Sequence, residues 1–160
     1  MAFQNKAQTQ VENHPRGSLC TVGGRLGGLL LSLFLLDTHA LVFWHLAEHV
    51  SEEFLSFFDH QSSLGNVMIS SVSFWEVSLL VKKGRLEIQD LQGWKNEILE
   101  HSRVRLVEPT VDDMIDSTLL PDHHKDPFDR LLAVQAQRED ARLVTRDTIF
   151  TSYGIDTYWI

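Results

Sequence analysis

"LLLSLFLLDTHALVFWHLAEHV", residues 29–50, runs from eight residues with a single polar interruption through an Asp-Thr pair into a helical pattern. A strand exposed on one face alternates apolar and polar residues. This run does not, and it predicts a central parallel strand covered on both faces. Asp37 and Thr38 then supply N-cap chemistry, and Leu41, Val42, Trp44 and Leu46 give the following helix an inner side.

The alternation continues downstream. A second helix covers 51–60, "NVMISS" (66–71) reads as a short strand, and Ser71 or Ser73 caps the helix of "VSFWEVSLLVKKG" (72–84). Lys82 and Lys83 suit that helix's negative C-terminal end, and Gly84 suits a left-handed C′ residue. Residues 91–101 are helical, "RVRLVE" (103–108) is a strand, and Pro109-Thr110 opens another helix. "DPFDRLLAVQAQRED" (126–140) is the strongest helical pattern, followed by strand "ARLVT" (141–145), a turn or single helical turn at "DTIFTSYG" (147–154) and a last strand in "IDTYWI" (155–160). Strands separated by helices predict an α/β fold: a mainly parallel central sheet flanked by helices, a three-layer sandwich. Such sheets bind ligands beyond the carboxyl ends of their strands, where connectivity reverses.

The 160 residues suit one domain over 29–160, preceded by a segment, 1–28, rich in Gln, Asn, Thr and Gly and without apolar periodicity, read as a flexible tail. The apolar run 26–36 resembles the core of a signal peptide, with "THA" behind it. Little positive charge precedes it, however, and cleavage after Ala40 would discard Asp37. It is too short to span a membrane. Cys20, the single cysteine, excludes an internal disulfide and a cysteine-based zinc cluster, and points to a reducing, cytoplasmic setting. A net charge of -8 argues against a broad basic nucleic-acid surface. Any such substrate would be held locally, by a cation or by Lys82, Lys83, Arg85, Lys125, Arg130 and Arg146.

Four acids stand out, three of them at strand ends or helix starts on the rim where such a sheet binds ligands. Asp37 ends the first strand, Asp147 follows the "LVT" strand, and Asp129 lies in the first turn of the strongest helix. Asp37 and Asp147 can each be simple helix caps. In "KDPFDR" (125–130), Asp126 fits the N-cap, Pro127 fits N1 and Asp129 falls at N3, so architecture accounts for Asp126 and leaves Asp129 for chemistry. Glu76, among Val72, Ser73, Leu79 and Leu80 on its helix, needs a partner, a proton or a cation. If the four converge, two carboxylates about 4 Å apart repel by roughly 4 kcal/mol at an effective dielectric near 20. A hard divalent cation such as Mg²⁺ relieves this and can drive attack on a phosphodiester.

Taken together, the motifs resemble the PIN-domain ribonucleases, and within them the VapC toxins of toxin-antitoxin modules. "LLDTHALVFW", "ISSVSFWEVSLLVKKGRL", "HHKDPFDRLLAVQAQ" and "LVTRDTIFTSYGIDTYW" match the family's four acidic motifs in order, over Leu29 to Ile160. The resemblance implies Asp37, Glu76, Asp129 and Asp147 as catalytic and metal-binding acids, with Mg²⁺ or Mn²⁺ as cofactor. It also implies endoribonuclease activity on RNA, an inhibitory antitoxin partner and a homodimer; no membrane association is expected, since the apolar run is too short to span. Thr145 resembles the hydroxyl residue that supports such sites, and Thr38 follows the first acid. A catalytically idle PIN-like scaffold that binds a partner protein is the alternative.

Other constellations carry less. "DHHKD" (122–126) invites a zinc site, but adjacent histidines point apart and no cysteine helps, which leaves them in a loop near the substrate. A dehalogenase-type phosphatase would want an aspartate where His39 stands. "GGRLGG" (23–28) precedes a strand and lacks the Lys-Ser/Thr ending of a phosphate loop. The aromatics at 43, 44, 74 and 75 read as core or dimer contacts.

Overall fold

A computed structural model of the chain describes residues 32–160. The 1–28 segment, the signal-like run up to Leu31 and the start of the expected first strand lie outside the described residues.

Leu35, at the centre of strand β1 (Phe34–Leu36), is fully buried, as are its partners on either side. β1 pairs in parallel with β2 (Val67–Ser70) on one side and β4 (Arg142–Val144) on the other. β3 (Arg105–Val107) and β5 (Thr157–Tyr158) complete a parallel sheet of order β3-β2-β1-β4-β5. Successive strand residues point to opposite faces. Phe34, Leu36, Val67, Ile69 and Val144 enter one core, while Leu35, Met68 and Leu143 enter the other. The strand is shorter than the expected 29–36 run, with Ser32 and Leu33 preceding it, and the apolar character of its three residues follows directly, because both faces need cover.

The first core is covered by α1 (Thr38–Leu46), α2 (Glu52–Ser63), α3 (Ser71–Lys82) and α4 (Leu91–His101), which contribute Leu41, Trp44, Phe54, Phe58, Val77, Trp94 and Ile98. The second is covered by α6 (Pro127–Arg138), through Leu132, Ala133 and Ala136, with Phe150 and Tyr153 from the short 3-10 helix Thr148–Tyr153. α5 (Val111–Leu119) packs on α6, where Asp113 pairs with Arg138. The three-layer sandwich is as expected from the sequence. No helix among the described residues is long and apolar enough to cross a membrane.

Local signals act at the element ends. Asp126 accepts from Phe128 N at 2.9 Å and Pro127 opens α6. Gly84 takes φ +66° just past α3, where its N–H bonds Val81 O. One cap is corrected: Ser70, not Ser71 or Ser73, caps α3, its hydroxyl accepting from Val72 N. The β2–α3 junction is so tight that the strand's last residue is itself the cap.

β1 lies between β2 and β4, so the chain winds one way through β2 and β3 and the other way through β4 and β5. Connectivity reverses between the carboxyl ends of β1 and β4, and a crevice is expected there.

Candidate active site

Asp37 follows β1, and Thr145 and Asp147 follow β4, so the topology delivers all three to that crevice. A cavity of about 380 Å³ opens there, lined by Asp37, Asp129, Thr145 and Asp147, with His39, Phe43, Arg146, Phe150 and Trp159 around them. Three of the four sequence-nominated acids therefore share one pocket.

Asp37 is 9% exposed and caps α1, accepting from Ala40 N at 2.6 Å. The capping reading and the ligand reading are therefore compatible. Burial raises its pKa above the ordinary carboxylate value, opposed by the Ala40 N–H, the Thr145 hydroxyl and His39. Thr145 also accepts from Asp147 N at 3.0 Å, which puts one buried hydroxyl between two of the acids. Asp147 caps the segment after β4 through Oδ1, accepting from Ile149 N at 2.8 Å.

Asp129 occupies the first turn of α6, as the N3 position required. Burial pushes its pKa up to about 6, countered by His124 and reinforced by the carboxylates of Asp126, Glu76 and Asp147. Glu76 is half-buried on α3, beside this group but off the pocket wall. Its Oε2 accepts from Thr38 Oγ1 at 2.5 Å. The partner that its apolar surroundings demanded is thus a hydroxyl on α1.

The basic residues divide. Arg146 is exposed on the pocket rim, donates to His49 O at 2.7 Å and lies 4.3 Å from the Trp159 ring centroid. Lys125 is exposed in the loop before α6. Lys82, Lys83 and Arg85 are exposed at the end of α3 that runs away from the crevice, Lys82 about 9 Å along the axis beyond Glu76.

Arg130 requires correction. It is 9% exposed and its guanidinium donates to the carbonyls of Ser117, Thr118, Leu120, Pro121 and His124. It closes the C-terminal end of α5 and the loop that follows, so its donors are not available for RNA.

The two loop histidines part company. His123 is exposed, whereas His124 is buried, with Nδ1 3.4 Å from Asp129 Oδ2 and Nε2 3.7 Å from Asp147 Oδ2. The sequence placed both near the substrate without distinguishing them. The available signal was that adjacent side chains diverge, so that one of the pair can turn inward. His39, Phe43 and Trp159 were also missed as pocket walls; Phe43 carried the periodicity of a core residue.

Among the described residues no three His, Cys, Asp or Glu side chains are drawn together into a ready metal-binding group. The donor chemistry nonetheless suits a hard divalent cation. Carboxylate oxygens from three elements face one crevice, and two of those groups resist ionisation, a cost that a cation reverses.

These features define a doubly covered parallel-sheet domain with an acidic crevice at its topological switch point. The chain belongs to the PIN domain family, whose profile matches residues 34–155. Its fold is similar to VapBC2 from Rickettsia felis bound to a DNA fragment from their promoter: TM-score 0.60, 16% identity, covering 79% of this chain and 97% of that one. VapC20 from Mycobacterium tuberculosis, a sarcin-ricin loop cleaving toxin, gives TM-score 0.58, 16% identity and coverage of 79% and 99%. A toxin-antitoxin complex from Klebsiella pneumoniae gives TM-score 0.50, 20% identity and coverage of 71% and 86%. At these identities the likeness is one of fold. No curated protein matches the chain in sequence.

Proposed function

We propose that this PIN-domain protein is a VapC-like toxin: a cytoplasmic, Mg²⁺- or Mn²⁺-dependent endoribonuclease that hydrolyses RNA phosphodiester bonds, works as a homodimer and is inhibited by a cognate antitoxin. The observation that carries this reading is the meeting of Asp37, Asp129 and Asp147 on one crevice, with Glu76 beside Asp129. The toxin and antitoxin reading draws support from folds shared with a sarcin-ricin loop cleaving toxin and with a toxin-antitoxin complex.

Asp37, Asp129 and Asp147 would hold the cation, with Glu76 next to them. A divalent cation there supplies a water of lowered pKa and neutralises charge developing on the phosphodiester. Thr145 keeps Asp37 and the Asp147 backbone in register, and Thr38 holds the Glu76 carboxylate toward the site. Arg146, stacked on Trp159 at the rim, offers guanidinium donors to an RNA phosphate, and Lys125 adds positive charge on the neighbouring loop. Local cations of this kind are needed because the net charge of -8 repels a polyanion.

The test is cleavage of single-stranded RNA by purified protein with Mg²⁺ or Mn²⁺, with chelator, and with Asp37→Asn. Cutting that chelator and Asp37→Asn both abolish is the expected result. Equal cutting by Asp37→Asn, or none under a broad screen of RNAs and metals, overturns the enzymatic reading in favour of a binding scaffold.

A further inference from the structure

The acidic cavity has a second wall, which the carboxylates do not supply. Its volume of about 380 Å³ lies in the range of small-molecule pockets, roughly 300–1,000 Å³. It has room for more than an ion. Beside the acids and Thr145 it is lined by His39, Phe43, Arg146 and Trp159, and by Phe150, whose ring belongs to the second core.

Two of these side chains come from α1. Burial takes Thr38, Ala40, Leu41, Val42 and Trp44, whereas His39 and Phe43, one turn apart and so on one face, are left lining the cavity. Their ring centroids stand 6.0 Å apart. His39 is exposed, and Phe43 is half-buried, its ring packed only partly against the first core. The other two follow adjacent strands. Thr145 N donates to Tyr158 O at 3.1 Å, which sets Arg146 and Trp159, the next residues of β4 and β5, side by side. The Arg146 guanidinium carbon lies 4.3 Å from the Trp159 ring centroid and 5.7 Å from that of Phe43. Nη2 donates to His49 O at 2.7 Å, so the plane is fixed. A guanidinium has five N–H donors, and the rest stay available.

Aromatic rings and a fixed planar cation beside a phosphodiester site match one part of RNA, the base. Sugar and phosphate have no π-face, whereas an unpaired base stacks on aromatic side chains and on guanidinium planes. We propose that His39, Phe43 and the Trp159-backed Arg146 form a base-stacking subsite for the unpaired nucleobase next to the scissile phosphate. The strand is then placed by its base on this wall and by its phosphate at the acids. This deepens the ribonuclease reading and rests on it. A base held in a duplex cannot reach the wall, so the subsite selects single-stranded stretches.

The experiment measures binding of two labelled probes of equal length to the full-length chain, with chelator present so that neither is cut. One is single-stranded oligoadenylate and the other a ribose-phosphate strand without bases. Oligoadenylate should bind on the order of tenfold more tightly, and pairing it with its complement should remove the advantage. Phe43→Leu keeps apolar bulk against the core and removes the aromatic face, and His39→Ala changes an exposed position. Both should bring oligoadenylate toward the baseless strand without weakening the latter, while Phe43→Tyr should retain the preference. Lost packing alone would not distinguish the two probes. A preference that survives both Phe43→Leu and His39→Ala overturns the subsite. So does an absent preference in a protein that cuts RNA, which leaves the ribonuclease reading standing. An absent preference in a protein that cuts nothing overturns both.

Discussion

Thr38 Oγ1 donates to Glu76 Oε2 at 2.5 Å, joining the first turn of α1 to the middle of α3. The hydroxyl is buried and the carboxylate half-buried beside Asp129, so this bond holds an acid where like charge would push it away. Thr38→Val should lower the melting temperature of the metal-free protein, by about 1–2 kcal/mol of stability, since a carboxylate loses its donor. Glu76→Gln should do the opposite. The amide oxygen keeps Thr38 as donor while the repulsion with Asp129 disappears. In the wild type, millimolar Mg²⁺ or Mn²⁺ should raise the melting temperature, and Glu76→Gln should shrink that rise. Thermal melts with and without chelator read all three; equal metal responses in wild type and Glu76→Gln would contradict the shared site.

Burial pushes the Asp129 carboxyl up to about 6 in the folded chain, from its ordinary value of 3.8. Between those two values the folded state binds more protons than the unfolded one, so stability falls as pH rises through the window. Burial of Asp37 acts in the same direction. Denaturant unfolding of metal-free protein should therefore show these groups stabilising the fold as pH drops from about 6 toward 4. Asp129→Asn should flatten that slope. A slope unchanged by Asp129→Asn would show that the carboxylate is not perturbed as described.

The order of elements was legible from residue 34 onward largely through helix ends: Asp37, Thr110 and Asp126 accept from the first turn of the helix they precede, as Ser51 and Asp90 do at two helices the sequence marked without naming a cap. The exception is instructive. At α3 the chain offers Ser70, Ser71 and Ser73 in sequence, and only the register of β2 decides among them. For the site, strand ends and a first-turn position were enough to nominate the acids, since those places are fixed by topology. The fate of Arg130 was not legible. Nothing in "PFDR" says that the chain after α5 will turn five carbonyls toward one guanidinium, since that contact exists only once α5 docks on α6. The same holds for His124, whose neighbour in sequence faces solvent.

Arg130 and Arg146 should behave oppositely on substitution. Arg130→Ala strips the donors from the α5 end and its loop and leaves carbonyls unpaired, at about 1–3 kcal/mol for each buried group left unsatisfied. Arg130→Lys should recover little, because a compact ammonium cannot reach several carbonyls as the planar fork does. Arg146→Ala should leave the melting temperature nearly unchanged and weaken RNA binding, with a shallower dependence on salt. Melting curves paired with RNA affinity at two ionic strengths separate the cases. Equal loss of stability in both variants would remove Arg146 from the RNA-facing surface.

The proposed homodimer has a candidate face on α5. Val111, Met114, Ile115 and Leu119 follow one another at helical spacing and are 73%, 53%, 52% and 74% exposed, while the opposite side of the helix docks on α6. An apolar row of this kind, left in water, is a cost that a second copy removes, at about 1.5–3 kcal/mol for each large side chain fully covered. Light scattering on the full-length chain should then report twice 18.3 kDa. Ile115→Glu with Leu119→Glu should return it to a single chain with little change in melting temperature at low concentration, since neither side chain belongs to either core cluster. A wild-type protein that is monomeric at high micromolar concentration, or a double variant that stays dimeric, would place the interface elsewhere or nowhere.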